Sequence, residues 1–309
     1  MTSRFKKFLL IDILVILLIG SYFFVSYFFS TKIIEFKTRS LAEDKLDLKI
    51  ESFATKGLPE PEDFSFQNGP ITLKAWYFKN PKPKNCGVLL LHGFTRTRWS
   101  MLKYTPLFWK RGCDLFAFDH RKHGESDGQY GTFGFYEKFD LENGIDSFSD
   151  ISKIPEDRIG VLGESYGAST AIQTMGLGKK IAFIIADSPY SDMDSIIIKK
   201  GVDLYGPAVQ IFAPLALLIA GNRADFDVED VSPAKYAKTL AVPILLVHSK
   251  TDAYTPYQHS EKIYEEIQIP EKKIALTDWD AAHAKSIDKN FDKYEAIVNE
   301  FLKEFVPNF

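Results

Sequence analysis

The segment Gly163-Glu164-Ser165-Tyr166-Gly167 carries the clearest chemical potential in this 309-residue chain. Before it stands the apolar run Arg158-Ile159-Gly160-Val161-Leu162, and after it residues 168–175 are small and helix-compatible. That order predicts a strand, a sharp turn and a helix, with the two glycines permitting the turn that lifts the serine hydroxyl above a sheet edge. The helix then points free N–H groups and its positive end at any oxyanion formed on the serine. Gly124-Glu125-Ser126-Asp127-Gly128 has the same spacing but lies in the polar loop 119–134, away from any helix start. Ser165, not Ser126, is the expected nucleophile.

Such a serine needs a base and an acid that orients the base. His92, His120 and His123 precede it, which the Ser–Asp/Glu–His chain order of such elbows excludes. His248 ends the apolar run 242–247 and reads as structural, whereas His259 opens a solvated helix. His283 follows the strand-like run 273–276 and is the expected base. Asp252 follows the strand that ends at His248, with Thr255-Pro256 closing its loop, and is the expected acid. Asp187, in Ala186-Asp187-Ser188-Pro189, also ends a strand and competes for that role. A further strand, residues 87–91, runs into His92-Gly93, and the turn there aims the Phe94 N–H at the nucleophile. Phe94 and Tyr166 are thus the expected backbone donors of an oxyanion hole.

Together these residues resemble the α/β-hydrolase family, in its serine esterase, lipase and peptidase-like branch. The resemblance covers about residues 60–305 and rests on several motifs. These are Leu91-His92-Gly93-Phe94, Phe118-Asp119-His120-Arg121-Lys122-His123-Gly124-Glu125-Ser126, the elbow, Asp252 with Thr255-Pro256, and His283. Lys122 stands where the family usually has glycine. The resemblance implies an α/β fold, a mostly parallel sheet with helices on both faces, and a triad of Ser165, Asp252 and His283. It also implies hydrolysis of small carboxylic esters through an acyl-enzyme on Ser165. A peptidase would use the same triad on an amide, and a non-enzymatic binding protein on this fold would be expected to lack one of its members.

The net charge of −3 leaves no basic patch for nucleic acid. Neither a phosphate-binding loop, a dinucleotide glycine fingerprint nor a metal-spaced Cys/His set occurs, so no cofactor and no metal is expected. Arg4, Lys6 and Lys7 precede the apolar run 8–29, which exceeds the ~20 residues needed to span a bilayer. Tyr22 and Tyr27 lie at its far end, and Asp12 is near enough to the other end to reach the headgroups. No small-residue cleavage site follows, so a single-pass anchor is expected rather than a signal peptide. The tighter basic cluster on the amino side puts that end inside and the hydrolase outside the cytoplasm.

The expected organisation is an anchor (1–29), a helical stalk partly packed on the body (30–58) and a hydrolase domain (59–309). A strand pair should join near Asn68-Gly69, and the terminal helix 291–305 should bury Tyr294, Ile297, Val298, Phe301 and Leu302 on one face. Within residues 191–241 the strand–helix alternation breaks into two helices, 195–205 and 207–220, the second with Pro214 inside it. This insertion is either packed on the body or a lid over an acyl pocket, turning Ile211, Phe212, Leu215 and Leu218 towards substrate and touching the bilayer. Cys86 and Cys113 each begin a strand, and two buried free thiols are expected in preference to a disulfide.

Overall fold

A computed structural model of the chain describes residues 3–309. The central strands of its sheet are short, mostly apolar runs that bury both faces. The strands are β1 (Glu62–Asn68), β2 (Ile71–Phe78), β3 (Gly87–Leu91), β4 (Asp114–Phe118), β5 (Ile159–Glu164), β6 (Phe183–Asp187), β7 (Ile244–Ser249) and β8 (Lys272–Thr277). They lie in the order β1-β2-β4-β3-β5-β6-β7-β8. β1 and β2 pair antiparallel through the turn after Asn68, β2 joins β4 antiparallel, and all later pairings are parallel.

The helices are α1 (Ser3–Ile34), α2 (Leu41–Asp47), α3 (Pro106–Trp109), α4 (Glu137–Ser152), α5 (Tyr166–Met175) and α6 (Met193–Tyr205). They continue with α7 (Ala213–Ala224), α8 (Pro233–Ala237), α9 (Gln258–Glu266), α10 (Ser286–Lys289) and α11 (Phe291–Phe305). Side chains alternate across each strand. Leu89, Leu91, Phe116 and Phe118 therefore meet α4 and α5 on one face. Val88, Leu90, Leu115 and Ala117 meet α3 and α11 on the other. Tyr294, Val298, Phe301 and Leu302 form the buried stripe of α11, with Ile297 at its margin. This is the α/β-hydrolase fold, with a mostly parallel eight-stranded sheet.

The amino-terminal extension departs from a helical stalk. α1 continues to Ile34, and between its end and β1 only the short α2 is α-helical. Ser40 caps α2 through a reciprocal capping box with Glu43. Apolar positions explain the route: Ile33, Ile34 and Phe36 enter a core shared with α6 and α7, and Phe53 packs flat on Trp99 against β2. The helix expected over 207–220 is also two pieces, a tight turn at Pro207–Ile211 and then α7. Pro214 stands in the first turn of α7, where its missing N–H breaks no intrahelical bond.

Cys86 and Cys113, expected as free thiols, form a disulfide with their Cα atoms 4.7 Å apart. Parallel pairing sets Gly87 opposite Asp114, so the residue preceding each strand faces the other across the sheet. Closing a loop over a separation of 27 residues restricts the unfolded chain. Replacing both cysteines by alanine should lower stability by about 3 kcal/mol in chemical denaturation. Thiol titration of the denatured wild-type chain should find no reactive thiol before reduction; two thiols without reductant would contradict the bond.

Candidate active site

Ser165 occupies the turn between β5 and α5 with φ 51° and ψ −107°, a conformation an L-residue adopts only when its surroundings enforce it. Enforcement comes from the glycines on either side. A Cβ on Gly163 would lie 2.4 Å from the Gly167 carbonyl carbon, and one on Gly167 would lie 2.4 Å from the Leu91 carbonyl oxygen. The helix can therefore approach the sheet only because both side chains are hydrogen. The Ser165 N–H donates to the Asp187 carbonyl at 2.7 Å, which ties the turn to β6. The Tyr166 N–H opens α5 and has no intrahelical acceptor.

The structure brings Ser165, His283 and Asp252 together. His283 Nε2 lies 2.8 Å from Ser165 Oγ, and its Nδ1 lies 2.6 Å from Asp252 Oδ2. Donation from Nδ1 to the carboxylate leaves Nε2 free to accept the serine proton. The other Asp252 oxygen accepts the N–H groups of Tyr254 and Thr255 at 2.9 and 2.8 Å. Burial alone would raise the Asp252 carboxyl, but hydrogen bonds from His248 and His283, and attraction to His283, hold it well below the usual carboxylate range.

Asp187 is placed differently. Its Oδ2 accepts the hydroxyls of Tyr104 and Tyr294 at 2.9 and 3.0 Å, and its Oδ1 accepts Ser188. Burial raises its carboxyl against the opposing pull of Lys103. Ser126 is likewise occupied, donating to the Asp119 carbonyl and accepting the Lys74 N–H.

The loop bearing Phe94 is held by two buried histidines. His92 donates from Nδ1 to the Gly93 carbonyl and accepts the His120 N–H at Nε2. His123 donates from Nδ1 to the Arg121 carbonyl and accepts the Thr95 N–H at Nε2, 3.2 Å away. Each imidazole thus has one donor and one acceptor, the pattern of a neutral ring. Burial lowers the pKa of His92, His120 and His123, the last two most strongly. Lys122 holds φ 66°, so the loop keeps a glycine-like turn without glycine. From the other side, the amino-terminal extension grips the same loop. The Phe36 ring lies 4.3 Å from that of Phe94, the Arg39 N–H donates to the Thr95 carbonyl, and buried Asp44 accepts the Thr97 N–H.

A cavity of about 180 Å³ opens beside Ser165 and is mostly apolar. Phe94 and Tyr166 border it near the serine, α6 and the turn before α7 form one wall, and Phe29 and Ile33 of α1 contribute to another. α7 presents Ala213 and Ala216 to the cavity. Ile211, Phe212, Leu215 and Leu218, expected to face substrate, are not among its lining residues. The helical period turns Ala213, Ala216, Leu217 and Ala220 inward, leaving Ile211 and Leu218 exposed.

His248, read from the sequence as structural, is buried, and the structure also sets it against Asp252. Its Nε2 lies 3.2 Å from Asp252 Oδ2 and 2.8 Å from the Thr255 carbonyl, while Nδ1 meets Ser260. The available signal was the four-residue spacing of His248 and Asp252 at one strand end. His259 is half-buried, not part of a solvated face, and its Nδ1 lies 2.8 Å from Ser191 Oγ.

Sheet order, elbow and site define a serine hydrolase of the α/β-hydrolase fold, an esterase or a peptidase. The chain belongs to the prolyl oligopeptidase family, whose sequence profile matches residues 126–307. It is 33% identical over 217 residues to the uncharacterised protein YqkD of Bacillus subtilis, covering 70% of each chain. Among solved structures it resembles the Pyrococcus furiosus esterase Pf2001, with a TM-score of 0.69 at 25% identity over 87% of this chain and 97% of the esterase. The fold likeness extends to the acylaminoacyl peptidase of Pyrococcus horikoshii, with a TM-score of 0.61 at 21% identity over 85% of this chain and 44% of the peptidase.

The triad geometry and the buried histidines each have a measurable outcome. Asp252→Asn should lower kcat for ester hydrolysis by several decades, on the order of 10⁴, because an amide cannot balance the imidazolium. Asp187→Asn should keep far more activity, and the reverse ranking in steady-state kinetics would move the acid to Asp187. The buried histidines set a pH dependence of stability. Their folded pKa values lie below the ordinary value of 6.5, so as pH falls through that value the unfolded chain takes up protons that the folded one refuses. Stability is then fully present above 6.5 and is lost below it, by at most about 1.4 kcal/mol per histidine per pH unit. Denaturation at pH 7.5 and 5.5 should show this fall, and His120→Phe should reduce it.

Proposed function

We propose that the chain is a membrane-anchored hydrolase of carboxylic esters that works through an acyl-enzyme on Ser165. The observation that carries this reading is the unbroken hydrogen-bonded line from Ser165 through His283 to Asp252, opening on an apolar cavity. Ser165 Oγ attacks the ester carbonyl carbon as its proton passes to His283 Nε2, and Asp252 balances the imidazolium. The N–H groups of Phe94 and Tyr166 receive the negative oxygen of the tetrahedral intermediate. His283 protonates the departing alcohol, then draws a proton from water, which attacks the acyl-enzyme and releases the acid and Ser165.

Residues 1–29 act as anchor, 30–58 as the connection to the sheet, and 59–309 as the hydrolase domain with 191–241 as its lid. Residues Lys7–Ile34 form a helix long and apolar enough to cross a membrane by length and composition, and its amino-terminal half touches nothing else in the protein. The basic cluster before it supports an inside amino terminus, and the Cys86–Cys113 disulfide fits a domain outside the cytoplasm. A peptidase is the second reading, favoured by the family to which the chain belongs. Ester and amide share the tetrahedral intermediate, so substrate preference decides between them.

A fluorophosphonate probe should label the wild type and Ser126→Ala but not Ser165→Ala, and Ser165→Ala should abolish turnover of p-nitrophenyl butyrate. Faster cleavage of peptidyl p-nitroanilides than of the ester would favour the peptidase, and an unlabelled folded wild type would point to a binding protein. Full-length protein should sediment with membranes and resist extraction by high salt; its release into a salt wash would remove the anchor.

A further inference from the structure

α1 is docked on the lid, and the register of that contact sets the lid's depth. From Tyr22 onward a stripe at helical spacing, Tyr22, Ser26, Phe29, Ser30 and Ile33, faces the protein. The Tyr22 hydroxyl donates to the Ile211 carbonyl at 3.1 Å, and its ring lies 5.5 Å from that of Phe212. At the other end of α7, the Arg223 guanidinium donates to Ser30 Oγ at 2.9 Å and Thr31 Oγ1 at 2.7 Å, and pairs with Glu35. α7 thus runs parallel to the last turns of α1, with its amino-terminal tip towards the apolar span.

The apolar run starts at Phe8, and a hydrocarbon core of ~30 Å takes up ~20 helical residues, ending near Tyr27. Tyr22 then lies about five residues inside that boundary, or ~7 Å at 1.5 Å per residue. The lid tip that touches Tyr22 lies at the same level, the depth at which interfacial helices bury an apolar face. Its composition matches the location. Eight large apolar side chains are exposed outside α1 among the described residues, and four of them are Leu204, Tyr205, Ile211 and Leu218 of the lid.

The cavity opens at this tip. Leu204 and Tyr205 line it while remaining 73% and 50% exposed, and the Phe29 ring of α1 packs 5.1 Å from that of Tyr205. A third exposed aromatic or aliphatic lining residue, Tyr254, lies at the other side of the site, where its ring rests 4.8 Å from that of His283. The cavity therefore has an apolar mouth at the edge of the bilayer, beside the lid tip, and a second exposed border next to the group that protonates the leaving alcohol.

We infer that the substrate is an amphiphilic acyl ester resident in the bilayer, a long-chain ester of a small polar alcohol. Its chain enters past Leu204 and Tyr205, beside the lid tip, without crossing water, and its polar alcohol leaves past Tyr254. The inference rests on the anchored-esterase reading. It is tested with the full-length protein in phosphatidylcholine vesicles, using 1-hexadecanoylglycerol as the bilayer-held ester and p-nitrophenyl butyrate as the soluble one. The hexadecanoyl ester should be cleaved at least tenfold faster from the protein's own vesicles than from separate protein-free vesicles mixed with them.

Ile211→Asp and Leu218→Asp alter the membrane-facing tip and not the cavity lining. Each should lose about tenfold on the bilayer-held ester and keep butyrate turnover within twofold. Equal rates from the two vesicle populations, or variants with wild-type rates on the bilayer-held ester, would overturn the inference while leaving the esterase intact. Absence of butyrate turnover by the wild type would overturn the esterase reading itself, and this one with it.

Discussion

Everything at the site depends on how closely α5 crosses the sheet. With no side chain at Gly163 or Gly167, the first turn of the helix rests on the backbone of β5 and on the Leu91 carbonyl of β3. That approach forces Ser165 into its unusual backbone angles and leaves its hydroxyl in the path of His283. An alanine at either position would push the helix outward and move the hydroxyl and the Tyr166 N–H together. The remaining structure meets this fixed point. β7 and β8 bring the loops of Asp252 and His283 to the same edge, and β3 brings the loop of Phe94.

Much of this was legible in the chain because it is written in local patterns. Apolar runs of five or six residues mark the strands, and the glycine–serine turn needs only its two neighbours to be recognised. Chain order together with local setting then singles out His283 from six histidines. What local patterns could not convey is what an element meets. His248 reads as a core residue until the turn at Thr255 folds Asp252 back onto it. The facing of Ile211 and Leu218 depended on whether residues 207–220 form one helix or a turn followed by a helix, and Pro214 sets that break. The cysteines required the register of β3 on β4, a long-range property that spacing alone leaves open.

Helices α6 and α7, the end of α1 and the Phe94 loop share one small core, in which Ile33, Phe36, Phe133, Tyr166, Met193 and Leu217 are neighbours. Tyr166 joins that core to the elbow, since its hydroxyl accepts the Phe133 N–H at 3.1 Å while its backbone begins α5. The extension before the sheet is consequently part of the wall of the site. Phe29 and Ile33 line the cavity, and Phe36 and Arg39 restrain the Phe94 loop opposite Ser165. A cut drawn at residue 29, between the apolar part of α1 and the rest of the chain, would pass through this contact.

Ser165 and His283 are 118 residues apart in sequence yet share a hydrogen bond, and the acid comes from a third strand end. No helix or hairpin of this chain holds even two of the three groups in register; they meet only when β5, β7 and β8 have all taken their places in the sheet. Contacts of such sequence separation carry the chain-closure entropy of the whole domain and form only as the fold completes. Assembly of this hydrogen-bonded line is thus an all-or-none attribute of the folded molecule, and the fraction of chains in which Ser165 meets His283 counts the fraction that is native.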